Sequence, residues 1–362
     1  MKHLHTASWL LAGLALSAFL LAEPAWAAPC TASAAECTEW VAAAEGSSRL
    51  LVYRSHPLEV RNAAITRGLV VVHGGGRNGD GYFRDALAAA FLAGALEDTI
   101  VISPRFASNN GGNCRDVLAA NELNWRCGGR EGWGSGGGAN GNGNVTSFDM
   151  ADEILRKLAR KEIFPNLSAI VVAGHSAGGG FVTRYSMSNA VHEQLGVPVA
   201  YVVANSGGFA YLDSLRPSGT AFPPNVAPTA PGYLPPEEEA SGPPFAPFPD
   251  ARSCTAYDNW PYGLQNRAGY SARFSEDQLR KRVASRQTTY LQGGLDVLPP
   301  AVQSCPATAQ GPTRLARGLA YAKHVNEKHG ARHKTVVIPP CGHSSRCMFT
   351  AEPALPIIFP EN

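Results

Sequence analysis

The stretch Ala169-Ile170-Val171-Val172-Ala173-Gly174-His175-Ser176-Ala177-Gly178-Gly179-Gly180 constrains this chain more than any other. Its first half is rich in β-branched residues and lacks polar alternation, the pattern of a strand covered on both faces within a parallel sheet. A helical pattern follows over Phe181 to Asn189. Between the two stands a serine with Gly174 and Gly178 two residues away on either side. A strand that turns so sharply into a helix brings neighbouring backbone too close for larger side chains at those glycines. The segment therefore calls for an α/β sheet, with the serine hydroxyl projecting from a strand's carboxyl end at a helix N-terminus.

The flanking sequence agrees. Runs at 69–72 and 99–102 read as further buried parallel strands. Helical patterns cover 82–95, 148–163 (with Ser147 as N-cap and Pro165 beyond the end) and 178–192. A strand follows at 197–203, a helix end and strand lie within 280–291, a helix spans 313–329, and a last strand spans 334–338. Strands alternating with helices predict an α/β fold: a mostly parallel central sheet with helices on both faces, in a single domain over 28–362. Two interruptions stand out, a Gly/Asn-rich loop at 106–146 and a Pro-rich insertion at 217–249. Each is expected to be either a solvated excursion or part of a site rim. Trp125, Trp133 and Trp260 are expected to be buried rather than to line a cleft.

The N-terminus has the proportions of a signal peptide over 1–27. Lys2 precedes the apolar run Trp9 to Leu21, and Ala25-Trp26-Ala27 forms a cleavage triplet. The run is shorter than the roughly 20 residues of a bilayer span. The mature chain is thus expected to be secreted or periplasmic, with no stable membrane insertion after cleavage. All eight cysteines follow the cleavage site, and an even count in an oxidising compartment predicts disulfides. Nearest-neighbour pairing is the simplest arrangement: Cys30–Cys37, Cys114–Cys127, Cys254–Cys305 and Cys341–Cys347. Zinc held by Cys341, His343 and Cys347 is the competing reading, disfavoured because exported thiols oxidise first. Hydrophobic residues make up 44% of the chain, too many for intrinsic disorder. A net charge of +2 gives no basic stripe for nucleic acid, and no such partner is expected.

A serine hydroxyl becomes a nucleophile only when a base takes its proton. In a strand–turn–helix setting the partners follow in the order Ser, Asp or Glu, then His. Asp296 sits just past the run Thr288 to Leu291, at the same sheet edge as Ser176, with Asp213 as the reserve. His343 lies just beyond the last predicted strand and inside the Cys341–Cys347 interval. His192, His324, His329 and His333 read as solvated helix-face residues. An early strand ends in His73-Gly74-Gly75-Gly76, whose amides at Gly75 or Gly76 would pair with that of Ala177 to receive an oxyanion. No Lys-Ser/Thr follows these glycines, which argues against a phosphate loop. His73 reads as a structural hydrogen-bonding residue.

With an early HGGG, a central Gly174-His175-Ser176-Ala177-Gly178, Asp296 after a strand and His343 near the end, the chain resembles the α/β-hydrolase superfamily from about Leu50 to Phe359, with the look of secreted bacterial esterase-like members. The resemblance implies Ser176 as nucleophile, His343 as base, Asp296 as orienting acid, main-chain donors near Gly75 and Ala177, and no cofactor. No metal is assigned. In lipase and esterase branches HGGG is commonly followed by an aromatic residue, whereas Arg77-Asn78 stands here. The Pro-rich insertion occupies the slot where many members place a lid, without the composition of a helical cap. The expected activity is that of an exported serine hydrolase acting on a small-molecule or polymeric carboxylic ester through an acyl-enzyme. Amide or peptide hydrolysis is the alternative on the same fold, and a catalytically silent binding protein is the third reading.

Overall fold

Strand β3 (Arg67–Val72) sends alternate side chains into two separate cores. Val70 and Val72 join a cluster containing Phe106, Phe148, Ile154 and Phe181. Leu69 and Val71 join Phe83, Ala86, Phe349 and Ile358 on the other face. Burial on both faces is why this strand has no polar alternation in sequence. These cores belong to a computed structural model that describes residues 28–44, 46–218, 244–300 and 302–361. The expected signal peptide and most of the Pro-rich insertion lie outside the described residues.

Eight strands form the central sheet. The others are β1 (Thr38–Ala42), β2 (Arg49–Arg54), β4 (Thr99–Pro104), β5 (Ala169–His175), β6 (Val199–Ala204), β7 (Thr288–Gly293) and β8 (Lys334–Ile338). Their order is β1-β2-β4-β3-β5-β6-β7-β8. Strand β2 runs antiparallel to both its neighbours, and every pairing from β4 onward is parallel. The sequence reading found the six parallel strands but not β1 and β2, which lie at the sheet edge and are only partly buried.

Helix α1 (Gly79–Leu92) and the C-terminal residues 348–359 cover one face. Helices α2 (Ser147–Leu158), α3 (Ala177–Ser188), α4 (Glu276–Ser285) and α5 (Arg314–His329) cover the other. A short helix α6 (Ser345–Thr350) follows β8. The N-cap of α2 is Thr146 rather than Ser147. Thr146 Oγ1 accepts from the amide of Asp149, whose carboxylate accepts from the amide of Thr146. Such a cap contributes about 1 kcal/mol. Ser147 Oγ instead donates to the carbonyl of Trp133 at 2.6 Å.

All four disulfides join nearest neighbours in sequence: Cys30–Cys37, Cys114–Cys127, Cys254–Cys305 and Cys341–Cys347. The Gly/Asn-rich loop is anchored to the core while parts of it, such as 109–113 and 128–130, are exposed. Trp125 and Trp133 are buried within it, and a two-stranded hairpin (Gly138–Ala139 with Asn142–Thr146) closes it against α2. At the root of the Pro-rich insertion, Leu215–Pro217 pairs antiparallel with Phe245–Pro247. Among the described residues no helix is long and apolar enough to cross a membrane.

Candidate active site

Ser176 links β5 to α3 with φ 61° and ψ −120°. A positive φ is uncommon outside glycine and persists only where the surroundings impose it. Here the imposing contacts are tight. A Cβ on Gly178 would lie 2.2 Å from the carbonyl oxygen of Val72, and one on Gly174 would lie 2.3 Å from that of Gly178. The turn is thereby packed against the end of β3. Ala177 is the first residue of α3, so its amide has no acceptor within the helix and carries the positive end of the helix dipole.

Three side chains meet at the carboxyl edge of the sheet. His343 Nε2 lies 2.9 Å from Ser176 Oγ, and His343 Nδ1 lies 2.8 Å from Asp296 Oδ2. The second oxygen of Asp296 accepts from Arg314, the first residue of α5, at 3.1 Å. Asp296 is buried and His343 about one-third exposed, so the imidazole faces the opening while the carboxylate anchors it. Strand order explains the convergence. Ser176 follows β5, Asp296 follows β7 and His343 follows β8, all parallel.

Backbone contacts hold the acid and histidine loops together. The amide of Leu295 donates to the carbonyl of Cys341 at 2.9 Å, and that of Gly294 to Ile338 at 2.9 Å. Asn205, just past β6, spans the same two loops. Its Nδ2 donates to Gly342 at 2.9 Å, and its Oδ1 accepts from the amide of Gly293 at 2.7 Å. The Cys341–Cys347 disulfide brackets His343, which excludes the zinc reading of those cysteines.

The oxyanion candidates sit opposite. A Cβ on Gly75 would come 4.0 Å from that of Ala177, so the two segments approach closely beside Ser176. Arg77 braces this loop: it donates to the carbonyls of Gly75 at 2.7 Å and Asn113 at 2.9 Å, and pairs with Asp116 at 2.6 Å. The arginine found where other branches carry an aromatic residue thus ties the HGGG run to the Gly/Asn-rich loop. His73 is fully buried. Its Nε2 accepts from the amide of Phe106 at 3.0 Å, and Nδ1 therefore donates to the carbonyl of Gly74 at 2.9 Å. Burial lowers its pKa to about 4, so it is a neutral structural residue. His175 packs beside His343, with ring centres 4.6 Å apart and planes tilted by 36°, and shares a 2.9 Å hydrogen bond with Tyr82. Burial, with the neighbouring His343 adding to it, holds His175 well below the usual imidazole range. His175 is therefore a neutral ring beside His343.

Two clefts reach Ser176 from different sides. One, of about 360 Å³, is lined by Gly75, Trp133, Ala177, Tyr262, Val302 and Arg314. The other, of about 410 Å³, is lined by Gly76, Asn78, Tyr82, Asp85, His343 and Arg346. Trp133 and Trp260 are buried, as expected, yet Trp133 also forms a wall of the first cleft.

Asp213, the reserve acid, is not part of this constellation. It lies 3.0 Å from His329 and 3.5 Å from His324. Nor are the remaining histidines all solvated. His324 and His333 are buried, the latter between the hydroxyl of Tyr290 and the carbonyl of Val283. His192 is half-buried against Tyr201. Asn205, Arg314, Tyr82 and the Arg77–Asp116 pair were not singled out in sequence as supports. Each acts through long-range contacts that no local motif encodes, except that Arg77 adjoins HGGG.

A mostly parallel sheet of this order, with a serine on a strained strand-to-helix turn, defines an α/β hydrolase. The model of the Alpha/beta hydrolase family matches residues 69–355, and the chain belongs to that family. Among solved structures it is similar to LpqC, a poly(3-hydroxybutyrate) depolymerase from Bordetella parapertussis. The identity is 20% and the TM-score 0.55, over 86% of this chain and 84% of that one. It is similar also to poly(aspartic acid) hydrolase-1 from Sphingomonas sp. KT-1, at 21% identity and a TM-score of 0.54, over 89% of this chain and 97% of that one. These likenesses establish the fold. No curated protein matches the chain.

Proposed function

We propose that the protein is an exported serine hydrolase that cleaves carboxylic esters through an acyl-enzyme. The observation that carries this reading is the unbroken line from Ser176 Oγ through both nitrogens of His343 to Asp296 and on to Arg314. In the acylation step, His343 Nε2 takes the Ser176 proton as Oγ attacks the ester carbonyl. The new oxyanion is received by the amides of Ala177 and of Gly75 or Gly76. Collapse expels the alcohol, which takes the proton back from His343 and leaves an acyl group on Oγ. Water then repeats the sequence and releases the acid. Asp296 fixes the imidazole tautomer and stabilises the imidazolium, and Arg314 holds the carboxylate in place.

Four disulfides support an oxidising compartment and hence export. Two clefts meeting at Ser176 suit an ester with bulk on both the acyl and alcohol sides, whether a small molecule or a polymer segment. The fold neighbours named above act on a polyester and on a poly(amino acid), so ester and amide are both to be tested. Matched p-nitrophenyl esters and p-nitroanilides of short acids separate them. The ester is expected to turn over at least about a thousandfold faster, with Ser176→Ala abolishing turnover. Comparable anilide rates would replace the ester assignment with an amidase. No turnover of either substrate by folded protein would favour a silent binding frame.

A further inference from the structure

We propose that Asp213, His324 and His329 form a binding site for a divalent cation of the zinc class, away from Ser176, at the root of the Pro-rich insertion. The three residues come from two elements. Asp213 lies in the segment after β6, and both histidines lie in the C-terminal half of α5, whose first residue is Arg314 at the active site. His329 Nε2 is 3.0 Å from Asp213 Oδ2, and His324 Nε2 is 3.5 Å from Asp213 Oδ1. All three ligand atoms lie within 4.8 Å of one another. A tetrahedral zinc with ligands at about 2.0–2.1 Å places those atoms roughly 3.3 Å apart. The spacings from the two Asp213 oxygens to the two histidines each lie within about 0.3 Å of that value.

His324 supplies the second observation. Its side chain has no exposed surface, and neither ring nitrogen has a hydrogen-bond partner among the described residues. A buried polar side chain without a partner is costly, and native structures rarely leave one without cause. The carboxylate of Asp213 lies 3.5 Å from its Nε2 without making a hydrogen bond, a placement that suits a shared ion. The ring is packed by Tyr211 and Phe245, with centres 4.7 Å and 5.0 Å away, so it cannot turn out to water. Nearby Arg216 directs its donors to the carbonyls of Asp213, Leu215, Tyr257 and Tyr262 and to Asp258, leaving the Asp213 carboxylate to the histidines and the amide of Leu215. Asp213 and His329 are partly exposed, which gives the ion an entry path and a water for the fourth position. Bound there, the ion would fasten α5 to the segment leading into the paired strands Leu215–Pro217 and Phe245–Pro247. This site stands or falls independently of the chemistry at Ser176.

The test uses untagged full-length mature protein freed of metal by a chelator and then titrated with Zn²⁺ alone. One equivalent is expected to bind, raising the melting temperature by several degrees at a hundredfold excess over Kd. Co²⁺ in its place should give the intense visible bands of a four-coordinate ion. Because His324→Ala would open a cavity in the core, the diagnostic variants are Asp213→Asn and His329→Gln, at the two partly exposed positions. Both should fold and lose affinity by about a hundredfold. Absence of stoichiometric Zn²⁺ binding by the folded chain would overturn the proposal, as would binding that either folded variant leaves unchanged.

Discussion

Asn205 donates from Nδ2 to the carbonyl of Gly342 across 2.9 Å, one residue ahead of His343. Its Oδ1 accepts from Gly293 at the start of the acid loop, so a single amide side chain sets the spacing of both partners of Ser176. Asn205 also holds φ at 44°, a region asparagine tolerates better than most residues. Asn205→Ala removes both bonds and is expected to cost about 1–3 kcal/mol of stability. Because the proposed mechanism needs the imidazole in place, kcat should fall by about 10- to 100-fold with KM little changed. Wild-type kcat in a folded variant would remove this positioning role.

Gly178→Ala tests the turn itself. The added methyl would lie 2.2 Å and 2.6 Å from the carbonyl oxygens of Val72 and His73, which are backbone atoms fixed in β3 and the HGGG run. Either the turn or the HGGG run must move. The expected outcome is a loss of esterase activity of about a hundredfold or more, with a lowered melting temperature. Retention of full activity would mean that the approach of α3 to β3 is not needed at the site.

The disulfide around His343 is expected to matter more for activity than for folding. Replacing Cys341 and Cys347 by alanine removes a loop constraint worth roughly 2 kcal/mol in the chain-entropy picture. It also frees the loop that orients the imidazole. Activity should drop by about tenfold or more at temperatures where circular dichroism still reports a folded chain. Equal losses in stability and rate, or no loss of rate, would count against this role.

Acid should destabilise the fold by forcing protons onto buried imidazoles. His73 is held at about 4 in the folded protein against 6.5 when unfolded, and His56 and His192 are lowered to about 4 chiefly by burial. Between those values the unfolded chain binds protons that the folded chain refuses. Stability is therefore fully present above pH 6.5 and declines as pH falls toward 4. Asp152 acts in the opposite sense, because burial raises its pKa to about 6, but it stands against these imidazoles and His175, which is lowered as well. The melting temperature is expected to fall by several degrees between pH 7 and pH 5. A flat or rising profile would contradict the assigned burial of these imidazoles.

Much of this arrangement is legible in the sequence because its signals are local. The buried runs that became β3, β4 and β5 stand out because both faces are covered, and the glycine-flanked Ser176 has few structural alternatives. Asp296 and His343 could be chosen over Asp213 and the other histidines because parallel strands deliver their following loops to one edge. Strands β1 and β2 escaped notice because a half-exposed edge pair lacks that continuous apolar pattern. His324 reads as solvated in sequence for a related reason. Its helix position looks solvated until Tyr211 and Phe245, distant in the chain, are seen to enclose it. Asn205 and Arg314 are likewise ordinary in sequence, and their roles exist only through partners on other loops.

The most direct measurement is covalent labelling of the mature protein with a fluorophosphonate, followed by peptide mass spectrometry. One adduct per chain is expected, located on Ser176, abolished by Ser176→Ala and slowed by about a thousandfold or more in His343→Ala. Folded protein that takes no label, or takes it at a different serine, would contradict the assignment of Ser176 as nucleophile.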